Sequence, residues 1–234
     1  RLEQQAGSPV QRIGLSATAH PPEAIAGLLC GSRPYALARV DSRRAHRLEV
    51  AVPDTKLPPS GHSPYRVAHL AANRIEARNC TLVFTITRSA AERLAVALRV
   101  LLPDFEEQIA VHHSSVERTE RLAIEAGLKH GDWKAVVCST SLELGVDFQH
   151  VDQVLLIGAP HGVSSAMQRL GRSGHRVDGV AEGLILPVTL PDLLESIAIC
   201  TAARAGRLDE LRIPREPLDV LAQVLLGMGI EREW

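Results

Sequence analysis

Thr81-Leu82-Val83-Phe84-Thr85-Ile86 is an apolar run of strand length, and Thr87-Arg88-Ser89-Ala90-Ala91-Glu92 follows it directly. An unbroken run of β-branched and aromatic residues marks a strand buried on both faces. Ser89 and Glu92 read as a capping box, in which a hydroxyl and a carboxylate each satisfy a free amide at a helix start. Leu94, Ala97, Leu98 and Leu101 then recur at helical spacing, and Pro103 ends the helix.

Outward from this unit the alternation repeats. A helix is expected over 66–77 before the run. Ile109-Ala110-Val111-His112 reads as a second strand, with Ser114 and Glu117 as another capping box opening a helix to about His130. Lys134–Cys138 and Gln153–Ile157 read as a third and a fourth strand. A helix across 163–171 and a strand near Gly183–Val188 complete the pattern. Short buried strands alternating with helices mean βαβ units and a parallel sheet covered on both faces. Functional residues are then expected in the loops at the strand carboxyl ends.

The flanks differ. Residues 12–31 read as a strand holding Ile13 and Leu15, a loop, and a short helix between Pro22 and Gly31. Residues 33–64 are proline-rich, carry Arg39, Arg43, Arg44 and Arg47, and read as a linker with a short strand such as Arg47–Val52. A domain boundary is placed near residue 42. After Pro191 a helix is expected to about Gly206, and a further helix starts at Leu218, where Leu and Val residues need cover from something else.

The chain of 234 residues is 45% hydrophobic and 23% charged, enough to bury a core without staples. Its formal net charge of −1 supplies no global field for a polyanion, so nucleic-acid contacts must come from local patches. Few aromatics (Trp 2, Tyr 2, Phe 3) argue against reading bases by stacking. Cys30, Cys80, Cys138 and Cys200 form no C-x-x-C pair and read as small apolar residues. No apolar stretch is long enough to span a membrane, and no secretion signal opens the chain. It begins at Arg1, and its methionines are Met167 and Met228, so a piece of a longer protein is expected.

Four segments carry chemistry. Gln168-Arg169-Leu170-Gly171-Arg172-Ser173-Gly174-His175-Arg176 gathers guanidinium groups suited to phosphate, beside glycines that let the backbone approach a ligand. The same cations also suit a solvated loop at a helix end. Ser139-Thr140-Ser141-Leu142-Glu143-Leu144-Gly145-Val146-Asp147 follows a strand and offers hydroxyls and amides to phosphate, with Asp147 as an acceptor for a ribose hydroxyl. His112-His113-Ser114-Ser115 lies at a strand-to-helix junction, where helix-start amides favour an anion; the paired histidines read as structural rather than as a metal site. Ser16-Ala17-Thr18 is three small residues after a strand.

Taken together these segments resemble the motifs of superfamily 2 helicases, in order. Ser16-Ala17-Thr18 is similar to motif III and Leu82 to Arg88 to motif IV; Ser139 to Asp147 is similar to motif V and Gln168 to His175 to motif VI. The nearer resemblance is to the large helicase-related (Lhr-type) DNA helicases. It is carried also by His112 to Ser115, by Gly158-Ala159-Pro160-His161-Gly162-Val163, and by the stretch from Ile213 to Gln223.

The resemblance implies a RecA-like three-layer parallel sheet of the P-loop NTPase fold, as the second motor domain, with the start of a winged helix at the C-terminus. On that reading residues 1–41 end the first RecA-like domain, residues 42–190 are the second, and residues 191–234 connect to a winged helix. It implies ATP and Mg²⁺, bound mainly by the first domain, and Arg172 as the arginine that reaches the γ-phosphate. Gln168 and Arg169 help place the nucleotide, and Gly145 and Asp147 lie near ribose and γ-phosphate. Thr85, Arg88, His113, Ser114, Ser139 and Thr140 touch a single-stranded backbone, and Ser16 and Thr18 couple ATP state to domain closure. Partners are single-stranded DNA, DNA or RNA–DNA duplexes, and the chain's own first RecA-like domain and winged helix, with no membrane. The setting is the cytoplasm of a bacterium or archaeon, at the nucleoid.

His175 stands where many superfamily 2 motifs carry arginine, leaving the second arginine's role to His175 or Arg176. No G-x-x-x-x-G-K-[ST] loop or D-E-x-H box occurs in these residues, so the segment alone is expected not to hydrolyse ATP. The alternatives are a non-catalytic single-strand-binding module, or an RNA helicase of the same superfamily. A dinucleotide oxidoreductase is disfavoured, because no G-x-G-x-x-G follows a strand.

Overall fold

A computed structural model describes residues 3, 6–40, 45–53, 64–143, 148–173, 180–211, 213–214 and 216–230. The chain divides into two units, Val40–Asp209 and Arg1–Arg39 with Glu210–Trp234. In the larger unit β1 (His46–Val50), α2 (Pro64–Glu76), β2 (Thr81–Thr85), α3 (Arg88–Leu101), β3 (Ile109–His112), α4 (Arg118–His130), β4 (Ala135–Cys138), β5 (Gln153–Ile157), α5 (Val163–Leu170), β6 (Ala181–Leu186) and α6 (Leu190–Arg204) follow in order. The smaller unit holds α1 (Pro22–Cys30) and α7 (Leu218–Ile230).

The six strands form one parallel sheet in the order β1-β6-β5-β2-β4-β3. β2 and β4 are buried along their whole length, as an unbroken apolar run requires. Successive side chains leave a strand on opposite faces. Leu82 and Phe84 therefore join one core with Ile124, Leu128, Val163, Leu170 and Ile199, and Val83 joins the other with Ala71, Ile75, Leu94 and Leu98. The result is three layers, with α2 and α3 on one face and α4, α5 and α6 on the other. This is the expected RecA-like arrangement.

Several local expectations change. His46–Val50 is the edge strand of the main sheet, pairing with β6 from His46 opposite Ala181, rather than a strand in a linker. It is recruited because Leu48 buries against the core on the α4–α6 side. The larger unit runs from Val40 to Asp209, and Ile199 and Cys200 of α6 are part of that same core.

The helix starts also differ. Thr87, not Ser89, caps α3, accepting from the Ala90 amide at 3.1 Å. Glu92 is drawn away to His113. The Ser114–Glu117 box does not form, and α4 opens at Arg118 without a side-chain cap. A box that sequence reading passed over, Thr189 with Asp192, opens α6.

In the smaller unit the expected strand at Ile13 and Leu15 is absent. Those side chains are 72% and 94% exposed, and no described strand lies beside them to complete a ladder. The amide of Leu211 donates to the His20 carbonyl at 2.8 Å, joining the unit's two segments. α7 has no buried residue, and Leu218, Leu226 and Ile230 stand exposed along it. No helix among the described residues is long and apolar enough to cross a membrane.

Candidate nucleotide and nucleic-acid interface

Register brings the candidate segments together. Phe84 pairs with Cys138, Cys138 with His112, and Thr85 with Ile157. The residues that follow (Ser139 after β4, His113 after β3, Gly158 after β5) therefore emerge side by side at the carboxyl edge, where open α/β sheets hold ligands.

Thr85 is buried, and its hydroxyl lies 3.0 Å from the Thr87 carbonyl and 3.2 Å from that of Cys138. It braces the β2 and β4 exits and is buried, where the resemblance had it touching a strand. Arg88 is exposed and donates through Nη1 to Ser115 Oγ at 2.8 Å, bridging the loops after β2 and β3. Ser114 and Thr140 are exposed and Ser139 half-buried, all open to a ligand backbone.

Both histidines are buried braces. His113 Nδ1 accepts from the Ser115 amide at 3.2 Å, so the proton sits on Nε2 and is donated to Glu92 at 2.8 Å. His113 thereby pins the β3–α4 loop to α3, and presents no nitrogen to a strand in this arrangement.

His112 contacts Ser141 Oγ through Nδ1 at 2.7 Å and Glu125 through Nε2 at 3.2 Å. Burial pushes its pKa below the usual value, while the Glu125 hydrogen bond and charge pull it up. The Ser141 hydroxyl donates to the His112 carbonyl at 2.9 Å, which leaves its oxygen free to accept at Nδ1.

The basic segment divides by depth. Arg169 is only 8% exposed. Its Nη2 lies 3.5 Å from Glu143 Oε2, and its guanidinium sits over the Phe84 ring, 5.4 Å from the centroid. Glu143 Oε1 also accepts the Ser165 hydroxyl at 2.9 Å. Arg169 is thus turned into the protein, where the resemblance had it helping to place nucleotide.

Arg172 and Gln168 are half-buried. The Arg172 amide closes a turn on the Arg169 carbonyl at 2.9 Å, and the buried Ser173 bonds the Leu170 carbonyl at 2.9 Å. Gly145, Asp147 and His175 lie outside the described residues. In the smaller unit, the Thr18 amide donates to Ser16 Oγ at 3.2 Å, so Ser16-Ala17-Thr18 folds as a local turn.

Guanidinium donors suit phosphate oxygens and not a metal. Among the described residues no three His, Cys, Asp or Glu side chains gather to hold an ion. Cys80, Cys138 and Cys200 are buried, and burial raises each thiol pKa, to about 12 at Cys80, so they pack as apolar groups.

Residues 66–176 match the helicase conserved C-terminal domain family. Over its whole length the chain is 43% identical to ATP-dependent helicase Lhr-Core protein 2 of Thermococcus barophilus, of which it covers 28%. It is 42% identical over 95% of its length to ATP-dependent helicase Lhr-Core of Methanocaldococcus jannaschii, covering 26% of that protein. The solved structure of Mycobacterium smegmatis helicase Lhr bound to ssDNA and AMP-PNP matches with a TM-score of 0.89 at 35% identity, over 97% of this chain and 30% of that one.

The chain corresponds to the C-terminal motor region of Lhr-type superfamily 2 helicases. It spans roughly a quarter of the curated relatives' length, 28% and 26% in the two cases above. Within this Lhr-type motor region, Glu143, Ser165, Phe84 and Ser141 were not singled out in the sequence as site residues, and Glu92 was expected only as a helix cap. Glu143 lies inside the motif V run and carried one usable signal, an acid among small and apolar residues. Its partners stand more than twenty positions away, where spacing rules do not reach.

Proposed function

We propose that this chain is the second motor domain of an ATP-dependent Lhr-type helicase that tracks along single-stranded DNA and unwinds DNA or RNA–DNA duplexes. Arg172 is its γ-phosphate arginine. Such a group stabilises charge on the transferring phosphoryl and stays charged at any working pH. Gln168, Gly145 and Asp147 place nucleotide and ribose, with His175 or Arg176 beside them.

Arg88, Ser114, Ser139 and Thr140 contact the strand backbone, and Thr85 and His113 hold those loops in place. Ser16 and Thr18 couple nucleotide state to closure. ATP and Mg²⁺ are held mainly by the first RecA-like domain, and α7 opens the winged helix. The observation that supports this reading is that the segments after β2 and β4 leave one sheet edge side by side, with the arginine-bearing segment tied to the turn after β4 through Arg169 and Glu143. The whole-length likeness to Lhr proteins supports it.

The test is Arg172→Ala in the full-length protein that carries this sequence. Strand-stimulated ATP turnover is expected to fall on the order of 10³-fold or more, with strand binding retained. Turnover equal to the unaltered protein's refutes the assignment. A full-length protein with salt-sensitive strand binding and no ATPase activity is instead a binding module.

A further inference from the structure

The turn after β4 is anchored at both ends by side chains. On one side Ser141 is joined to His112 of β3, with Oγ 2.7 Å from Nδ1 and 2.9 Å from the carbonyl oxygen. On the other, Glu143 reaches α5, accepting the Ser165 hydroxyl at 2.9 Å and facing Arg169 Nη2 at 3.5 Å. Between them the Glu143 amide closes the turn on the Thr140 carbonyl at 3.2 Å. A buried-side ion pair is costly to desolvate, so packing alone does not explain it.

Nor does α5 need this link to stay on the sheet. Val163, Ala166 and Leu170 are in the core, and the Ser164 amide is capped by Asp209 Oδ2 at 2.7 Å. What Glu143 adds is a tie between two particular pieces, the turn holding Ser139 and Thr140 and the helix running into Arg172. Arg172 lies one turn beyond Arg169 and is bonded to it through the backbone at 2.9 Å. A shift of the 140–143 turn therefore pulls on Arg169, and the Arg172 backbone moves with it.

We propose that Glu143 is a positioning residue that couples the strand-facing turn after β4 to the arginine-bearing end of α5, so that a bound strand sets the reach of Arg172. This rests on the helicase reading above. The coupling runs through contiguous bonds, which is what a transmitted shift requires.

The experiment uses the full-length protein and measures ATP turnover with and without single-stranded DNA, alongside strand affinity by anisotropy. Glu143→Gln and Ser165→Ala are expected to keep the unstimulated rate and the strand affinity, and to lose stimulation by about tenfold, the usual size of an inter-site coupling. Asp209→Ala serves as the comparison, because it loosens the start of α5 without touching the link. It is expected to lower thermal stability and leave the stimulation ratio intact. The proposal is overturned if Glu143→Gln is stimulated like the unaltered protein, or if its stimulated and unstimulated rates fall in parallel. An unaltered protein lacking strand-stimulated turnover overturns the helicase reading and this proposal with it.

Discussion

Replacing Arg169 by alanine separates a buried brace from an exposed ligand contact. The substitution leaves Glu143, whose side chain is 14% exposed, without its cation but with the Ser165 hydroxyl still bound. Stranding a fully buried charge costs about 3–5 kcal/mol, and a single contact at 3.5 Å with residual solvent access puts this case nearer 2 kcal/mol. Loss of the guanidinium over Phe84 and of the packed stem adds about 1 kcal/mol. Removing the desolvation cost of Arg169 itself offsets part of this, so the net loss is about 2–3 kcal/mol. Truncating an exposed arginine changes stability by less than about 0.5 kcal/mol.

Trp133, half-buried and donating from Nε1 to the Ile124 carbonyl at 3.1 Å, reports on the larger unit once Trp234 is replaced by phenylalanine. Urea unfolding followed by its fluorescence gives the midpoint, and an unchanged slope confirms that stability alone has moved. The thermal midpoint is expected to fall by roughly 5–10 °C. A shift worth less than about 0.5 kcal/mol refutes the buried-brace account.

Acidification should destabilise the larger unit through His112. The free imidazole titrates near 6.5 and the folded one lower. Below 6.5 the unfolded chain thus takes up a proton that the fold resists, and the contribution present above that pH is lost as pH falls through the folded value. His112→Asn should flatten the dependence of the urea midpoint between pH 8 and pH 5.5, and an unchanged slope counts against the assignment. Thr87→Ala should cost about 1 kcal/mol as a lost helix cap, whereas Ser89→Ala should be nearly neutral. Equal costs at the two positions in thermal melts would restore the capping box at Ser89.

The sheet was legible because buried strands leave an unmistakable local pattern. Ile109–His112 and Gln153–Ile157 have the same bounds in sequence and in structure. Helix caps were not, since Thr87, Ser89 and Ser114 are all competent hydroxyls and the choice among them depends on where the chain enters the helix. His46–Val50 looked like a linker because its ladder partner, β6, lies far along the chain. The Ile13–Leu15 strand failed for the complementary reason, since apolar alternation without a neighbouring strand leaves amides unpaired.

For the candidate site, strand order brought the loops after β2, β3 and β4 to the carboxyl edge, but the depth of each side chain was not legible. Arg169 and Arg172 are equivalent in sequence, three apart in one basic run. One points into the protein because Phe84 and Glu143 wait there.

Periodicity, strand-length apolar runs and the ordered motifs are local properties of the chain, and they determined the layered α/β class and the Lhr-type resemblance. Which arginine is buried, which histidine nitrogen carries its proton and which acid joins the turn after β4 to α5 were decided by tertiary structure. Those outcomes depend on partners distant in sequence, where packing and desolvation choose among side chains of equal local promise.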